Sequence, residues 1–172
     1  MFRDILYTPW RMKYITSTDN NVEGCVFCAK LSADTACDRE NLVLYRGKTA
    51  FVAMNIYPYN TGHLMVLPNK HAATLAEIPR ETQFELMLLT THFVELLSEL
   101  MQPDGLNVGL NMGRAAGAGI DSHLHIHVVP RWSGDSNFMS VVGNTRVLPE
   151  ALEDTYDKIM AMLEENSPDI ET

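Results

Sequence analysis

The 172-residue sequence is poor in positive charge. It holds 13 Lys and Arg against 22 Asp and Glu, a net charge of −9 with histidine neutral, and so lacks the basic clusters with which proteins coat polyanions or anionic lipid. Nucleic acid and membrane surfaces are therefore not expected as partners. Long apolar runs are also missing: no stretch approaches the roughly 18 residues that a membrane helix needs. Cysteine is scarce and odd in number, at three. The opening Met1-Phe2-Arg3-Asp4-Ile5-Leu6-Tyr7-Thr8-Pro9 carries an early acid and no sustained apolar segment, unlike a secretory leader. Reduced thiols in a cytoplasmic chain fit this better than a disulfide framework. Repeats, low-complexity segments and linkers are absent, so one domain is expected over residues 1–172. It divides into an N-terminal extension with the paired cysteines (1–40), a core (41–165) and a tail (166–172).

What is present reads as α+β. Thr8-Pro9 before Trp10 is a capped start for a short helix over 9–15, and Cys25-Val26-Phe27-Cys28 reads as a turn. Apolar runs at 42–46 and 49–54 around Gly47-Lys48 form a hairpin pattern. A third strand at 63–67 stops at Pro68. Leu86, Leu89, Phe93, Leu97 and Leu100 recur at three- and four-residue steps, one face of a long helix over 79–101. A strand over 106–111, a glycine-rich loop over 113–121 and a strand over 122–129 follow. The last helix starts at Pro149 and carries Leu152, Tyr156, Ile159 and Leu163 on one face. Hairpin and meander strands with helices grouped between and after them predict an antiparallel sheet packed with a long helix and a C-terminal helix.

Chemistry concentrates in Asp121-Ser122-His123-Leu124-His125-Ile126-His127-Val128-Val129-Pro130-Arg131-Trp132. Alternate side chains of a strand share a face, so His123, His125 and His127 line one side at intervals of about 6.5 to 7 Å, with Leu124, Ile126 and Val128 turned to the core. A polar sheet face does not need three histidines in strict alternation. Two readings remain: a catalytic metal held by His-x-His, or an imidazole nucleophile with a neighbour that handles protons. Near neutral pH an imidazole with a pKa of about 6.5 is largely neutral and can attack phosphorus. Asn111, Gly113, Gly117 and Gly119 favour the second, since bare backbone there can present N–H donors to phosphate oxygens.

Cys25-x-x-Cys28 is half of a tetrahedral zinc site. A thioredoxin-like motif needs a βαβ setting that the following hairpin does not provide, and chance placement is the other alternative. Spacing does not choose the remaining ligands among His63, His71, His92, Cys37 and the three clustered histidines. Other signals carry less. Gly47-Lys48-Thr49 imitates the end of a phosphate-binding loop, but Leu42 stands where that motif needs glycine. The 10 methionines fill core positions, His92 on the long helix reads as structural or surface, and Gly105, Gly109 and Gly113 read as close packing or bulges.

His123-Leu124-His125-Ile126-His127-Val128-Val129 resembles the motif of the histidine triad superfamily of nucleotide hydrolases and transferases. Asn60-Thr61-Gly62-His63 leading to Pro68 is similar to the Asn-x-Gly-His strand of that family, and Asn111 stands where it has a phosphate-contacting polar residue. Thr8-Pro9-Trp10-Arg11-Met12-Lys13-Tyr14, Tyr57-Pro58-Tyr59-Asn60 and Pro130-Arg131-Trp132-Ser133-Gly134-Asp135-Ser136-Asn137-Phe138 are similar to its bacterial diadenosine tetraphosphate phosphorylases. The resemblance covers most of the chain. It implies that His125 forms a nucleotidyl-histidine intermediate and that His127 hydrogen-bonds phosphate oxygens or the leaving group. Asn111 and the backbone around Gly117, Ala118 and Gly119 would hold the phosphates, Trp132 would contact substrate, and His63 would support the site.

The same resemblance completes a structural zinc site with His71 and His123 beside Cys25 and Cys28. The uridylyltransferases of the superfamily carry Gln at the third triad position, so His127 argues against that branch. Ala118-Gly119 departs from the Gly-Ser of the phosphorylases and removes a serine contact to phosphate. The implied activity is conversion of diadenosine tetraphosphate and phosphate to ADP and ATP. Water-dependent hydrolysis of dinucleoside polyphosphates or nucleoside phosphoramidates is the enzymatic alternative, and a nucleotide-binding sensor or adaptor is the alternative of another class. Implied partners are adenine nucleotides or dinucleoside polyphosphates and a second copy of the chain, as a homodimer or larger homo-oligomer. Whether Mg2+ accompanies the substrate stays open.

Overall fold

Apolar runs build an antiparallel sheet. The computed structural model describes residues 24–135 and 150–168. Its strands are β1 (Val43–Arg46), β2 (Ala50–Met54), β3 (Leu64–Pro68), β4 (Gly105–Leu110) and β5 (Ile126–Arg131), in the order β1-β2-β3-β5-β4. Every residue of β2 and β3 is buried, as expected for central strands whose two faces are both covered. The described helices are α1 (Val26–Ser32), α2 (Asp38–Asn41), α3 (Arg80–Met101) and α4 (Leu152–Glu165).

The pleat divides the strands between two cores. Ala50, Val52, Met54, Leu64, Val66, Ile126 and Val128 pack with Leu86, Leu89, Phe93 and Leu97 of α3 and with Tyr156, Ile159 and Leu163 of α4. Full burial of a side chain such as Phe93 contributes about 1.5–3 kcal/mol. Val43, Phe51, Ala53, Met65 and Leu67 face the other way, onto Phe27 of α1. The Tyr156 hydroxyl donates to the Val43 carbonyl at 3.0 Å and ties α4 to β1. From α3 the buried Glu85 reaches the β1–β2 turn, where it accepts the N–H groups of Lys48 and Thr49, both at 2.8 Å, and the Thr49 hydroxyl. A Cβ on Gly47 would collide with Glu85 Oε1 and lie 2.8 Å from the Ala50 carbonyl, so close packing explains this glycine, and the carboxylate occupies the amides that a phosphate loop would offer.

The α+β class, the hairpin and the long helix stand as the sequence predicts. The third strand is Leu64–Pro68, with Pro68 inside the ladder opposite Ala50 and not its stop, and three further readings differ. Cys25-Val26-Phe27-Cys28 is the start of α1 and not a turn, closed by a 3.0 Å bond from Ala29 N–H to the Cys25 carbonyl. The strand expected over 122–129 pairs only from Ile126, where Val66 and Leu110 both reach it, and continues to Arg131. The strand expected over 106–111 ends at Leu110, before the chain turns through Gly113 at φ +81°. The expected helix over 9–15, residues 136–138 and the start of the last helix at Pro149 lie outside the described residues.

Candidate active site and metal-ligand cluster

Sheet register aims the histidines. His127 is paired with Met65 on the face that α1 covers, and Leu124, Ile126 and Val128 enter the opposite core. His123 and His125 stand ahead of the ladder on the same side as His127. His63 arrives from a turn held by His63 N–H to the Asn60 carbonyl at 3.2 Å and Asn55 N–H to the His63 carbonyl at 3.0 Å. Gly62 in that turn has φ +76°, and a Cβ there would meet Met101 Sδ at 2.6 Å, so both conformation and space demand glycine. All four histidines are buried, His125 at 5% and His127 at 9% exposure.

Main-chain groups assign the protons. The Tyr59 amide N–H donates to His63 Nδ1 at 2.9 Å, so His63 is neutral and its proton is on Nε2. That Nε2–H lies 2.9 Å from His127 Nδ1, which must accept, leaving the His127 proton on Nε2. On the neighbouring ring, His125 Nδ1 is 2.9 Å from the His123 carbonyl oxygen. A carbonyl only accepts, so Nδ1 carries the proton and Nε2 carries a lone pair. Burial lowers the His125 pKa below its ordinary value, against an opposing pull from the His123 carbonyl. The two rings are 4.6 Å apart between centroids and nearly perpendicular, at 82°. The pair thus sets one nitrogen lone pair beside one N–H donor.

The remaining expected contacts surround this pair less directly. Asn111 follows the last residue of β4, Leu110, whose partner Ile126 directly follows His125. The loop beyond holds a single turn, Arg114–Ala116, between Gly113 and Gly117, both at positive φ, and Ala118 is buried. Gly119 lies half-buried after it. Trp132 follows β5, its N–H on Asp135 Oδ2 at 3.2 Å. Asp135 also binds the Arg131 guanidinium at 2.6 and 2.8 Å and accepts from Asn60 Nδ2 at 2.9 Å. Asn60 therefore splints the turn before His63 to the end of β5. Among the described residues, no hydrogen bond joins Asn111 or Trp132 to the histidines.

A second cluster adjoins the first. One ligand atom each from Cys25, Cys28, His71 and His123 lies within 4.8 Å of the others. Cys25 Sγ is 3.4 Å and Cys28 Sγ 3.6 Å from His123 Nδ1, and Cys28 Sγ is 3.4 Å from His71 Nδ1. His123 Nε2 donates to the Pro68 carbonyl at 2.9 Å, so its Nδ1 lone pair points at both sulfurs, the orientation a metal-binding imidazole requires. Burial and the adjacent Cys25 push the Cys28 thiol up, a crowding that a divalent cation would relieve. The residues fit a closed tetrahedral site of two sulfurs and two nitrogens.

Sequence reasoning assigned no role to Phe27, the Tyr59 amide, the Pro68 carbonyl or Asp135, although Tyr59, Pro68 and Asp135 lie in the segments that carry the family resemblance and Phe27 lies between the two cysteines.

A family model described as HIT domain matches residues 38–134. An AP-4-A phosphorylase of Mycobacterium tuberculosis (strain ATCC 25618 / H37Rv) is 39% identical over 154 residues, 87% of this chain and 79% of that protein. An adenosine 5'-monophosphoramidase of Schizosaccharomyces pombe is 29% identical over 108 residues, 63% of this chain and 74% of its own. Both relatives are enzymes, in line with the expectation of one. A zinc-bound histidine triad family protein from Mycobacterium smegmatis has a similar solved structure, with TM-score 0.65 and 27% identity over 83% of this chain and 94% of that one.

Proposed function

The chain belongs to the HIT-domain family, and on that premise we propose that it transfers nucleotidyl groups from dinucleoside polyphosphates, converting diadenosine tetraphosphate and phosphate to ADP and ATP. The observation that carries this reading is the opposite proton placement on two adjacent imidazoles, a lone pair on His125 Nε2 and a proton on His127 Nε2. His125 Nε2 attacks the phosphorus of one adenylyl group and forms an N–P bond. The P–O bond to the remaining polyphosphate breaks, and His127 Nε2–H hydrogen-bonds the departing oxygen, so ATP leaves. Phosphate then attacks the same phosphorus, the N–P bond breaks, and ADP is released. Positioning and charge stabilisation supply most of the rate effect in such transfers. Asn111, the backbone of Gly117, Ala118 and Gly119, and Trp132 hold the substrate, with His63 behind His127.

Cys25, Cys28, His71 and His123 would hold zinc, whose part is structural: it joins the start of α1 to the segment that carries His125. The similarity to an AP-4-A phosphorylase supports the phosphorolytic reaction. The loss of a serine hydroxyl at Ala118-Gly119 removes a phosphate contact and bears on the choice between phosphate and water as acceptor. A homodimer in the cytoplasm completes the proposal; no described helix is long and apolar enough to cross a membrane.

Product identification from diadenosine tetraphosphate across a phosphate titration tests the reaction. ADP and ATP that rise with phosphate are the expected result. Phosphate-independent AMP refutes phosphorolysis in favour of hydrolysis, and nucleotide binding without labelled nucleotide trapped on the protein refutes catalysis in favour of a sensor.

A further inference from the structure

We infer that Phe27 is a positioning residue for the His125 ring, an inference that rests on the nucleotidyl-transfer reading above. Its ring centroid lies 5.4 Å from that of His125, tilted by 55°, and 5.5 Å from that of His123, edge-on at 80°. Among the described residues a single hydrogen bond, Nδ1–H to the His123 carbonyl, fixes one corner of the His125 imidazole. A planar ring tethered at one corner can still tilt. Phe27 contacts it and, with the near-perpendicular His127 ring, restricts the tilt that would swing Nε2 off line.

Phe27 is itself firmly seated. It is 4% exposed, among Val43, Phe51, Ala53, Met65 and Leu67. Arg46 of β1 holds the end of α1, donating to the carbonyls of Leu31 at 2.5 Å, Lys30 at 3.1 Å and Ala33 at 3.2 Å while bound to Asp38. Phe27 also sits between Cys25 and Cys28, so the segment that supplies half of the metal-ligand cluster supplies the support of the nucleophile. The cluster and the reactive imidazole meet twice, through the His123 carbonyl and through this ring. A residue needed only to fill apolar space could be leucine; one that lies tilted against one imidazole and edge-on to the next needs an aromatic ring.

The test compares Phe27→Leu with the wild-type chain by three measurements: zinc content, single-turnover adenylyl transfer from diadenosine tetraphosphate with the dissociation constant of AMP, and 15N NMR of the His125 ring. Leucine keeps the apolar seat, so zinc content and AMP affinity stay within twofold. The transfer rate falls about two- to tenfold, the size of an aromatic ring contact, and the sharp Nδ1–H signal of His125 broadens. An unchanged rate overturns the inference. So does an AMP affinity that falls in step with the rate, which makes Phe27 a nucleotide contact, and so does a rate restored by added zinc. Should the wild-type chain transfer no nucleotide, the reading of function fails by itself. The NMR comparison then still decides the positioning role, and identical His125 signals in the two proteins refute it.

Discussion

Replacing His63 by leucine tests the proton assignment at its source. The substitution keeps an apolar body in a site 1% exposed but removes two hydrogen bonds, Tyr59 N–H to Nδ1 and Nε2–H to His127 Nδ1, each 2.9 Å. Losing both buried bonds costs about 2–4 kcal/mol of stability. The effect on rate follows from the second bond alone. With its Nδ1 no longer engaged by His63, the His127 ring divides between tautomers and orientations, and only the fraction with Nε2–H turned to the substrate is competent. A bond worth about 1.4 kcal/mol reduces that fraction about tenfold. His127→Ala removes the donor altogether and costs about 100- to 1000-fold. Single-turnover transfer from diadenosine tetraphosphate should therefore fall about tenfold in His63→Leu, with AMP affinity nearly unchanged. Adding His63→Leu to His127→Ala should cost nothing further, because the pathway it acts through is gone. A full second loss in the double variant, or a His127 15N spectrum with the proton on Nδ1 in the wild-type chain, would refute the relay.

Three further outcomes follow from other parts of the fold. Cys28→Ser should bring zinc below about half an equivalent by metal analysis and lower the thermal midpoint, since one thiolate of a four-ligand set is lost; zinc retained at wild-type stoichiometry would exclude Cys28 as a ligand. Glu85→Gln turns an amide donor toward the Lys48 and Thr49 N–H groups and should cost about 1–3 kcal/mol in urea unfolding, with transfer kept within about twofold. Burial lowers the His92 pKa from its ordinary 6.5, with Glu95 opposing. The unfolded chain thus takes up the proton first as pH falls, so the contribution is complete above 6.5 and is lost below it. His92→Gln should flatten the decline in stability between pH 7 and 5, and an unchanged slope would contradict this.

How much of the site can be read from residues alone depends on distance along the chain. The alternation of His123, His125 and His127 and the periodicity of Leu86, Leu89, Phe93 and Leu97 are local, and both appear where the pattern puts them. The convergence of Cys25 with His123, 98 residues apart, is tertiary; spacing left it open, and a family resemblance supplied it. A cysteine pair suggests a turn, whereas burial of Phe27 and the Ala29–Cys25 bond make the segment helical. The alternating pattern starts at 122, but pairing begins only where Val66 and Leu110 provide partners for Ile126. Glu85 has no sequence signature at all, since its three partners belong to a turn 36 and 37 residues away.

The Tyr59 amide, the His123 carbonyl and the Pro68 carbonyl place the protons of three imidazoles, and every residue type but proline has the first group while every residue has the other two. Substitutions at 59 and 68 thus leave these proton positions as they are while the backbone path holds, although a change at 59 also removes the Tyr59 ring that lies 4.6 Å from that of His63. Proline at 59 removes the N–H itself. Selection on this site therefore falls on chain geometry as much as on side-chain identity.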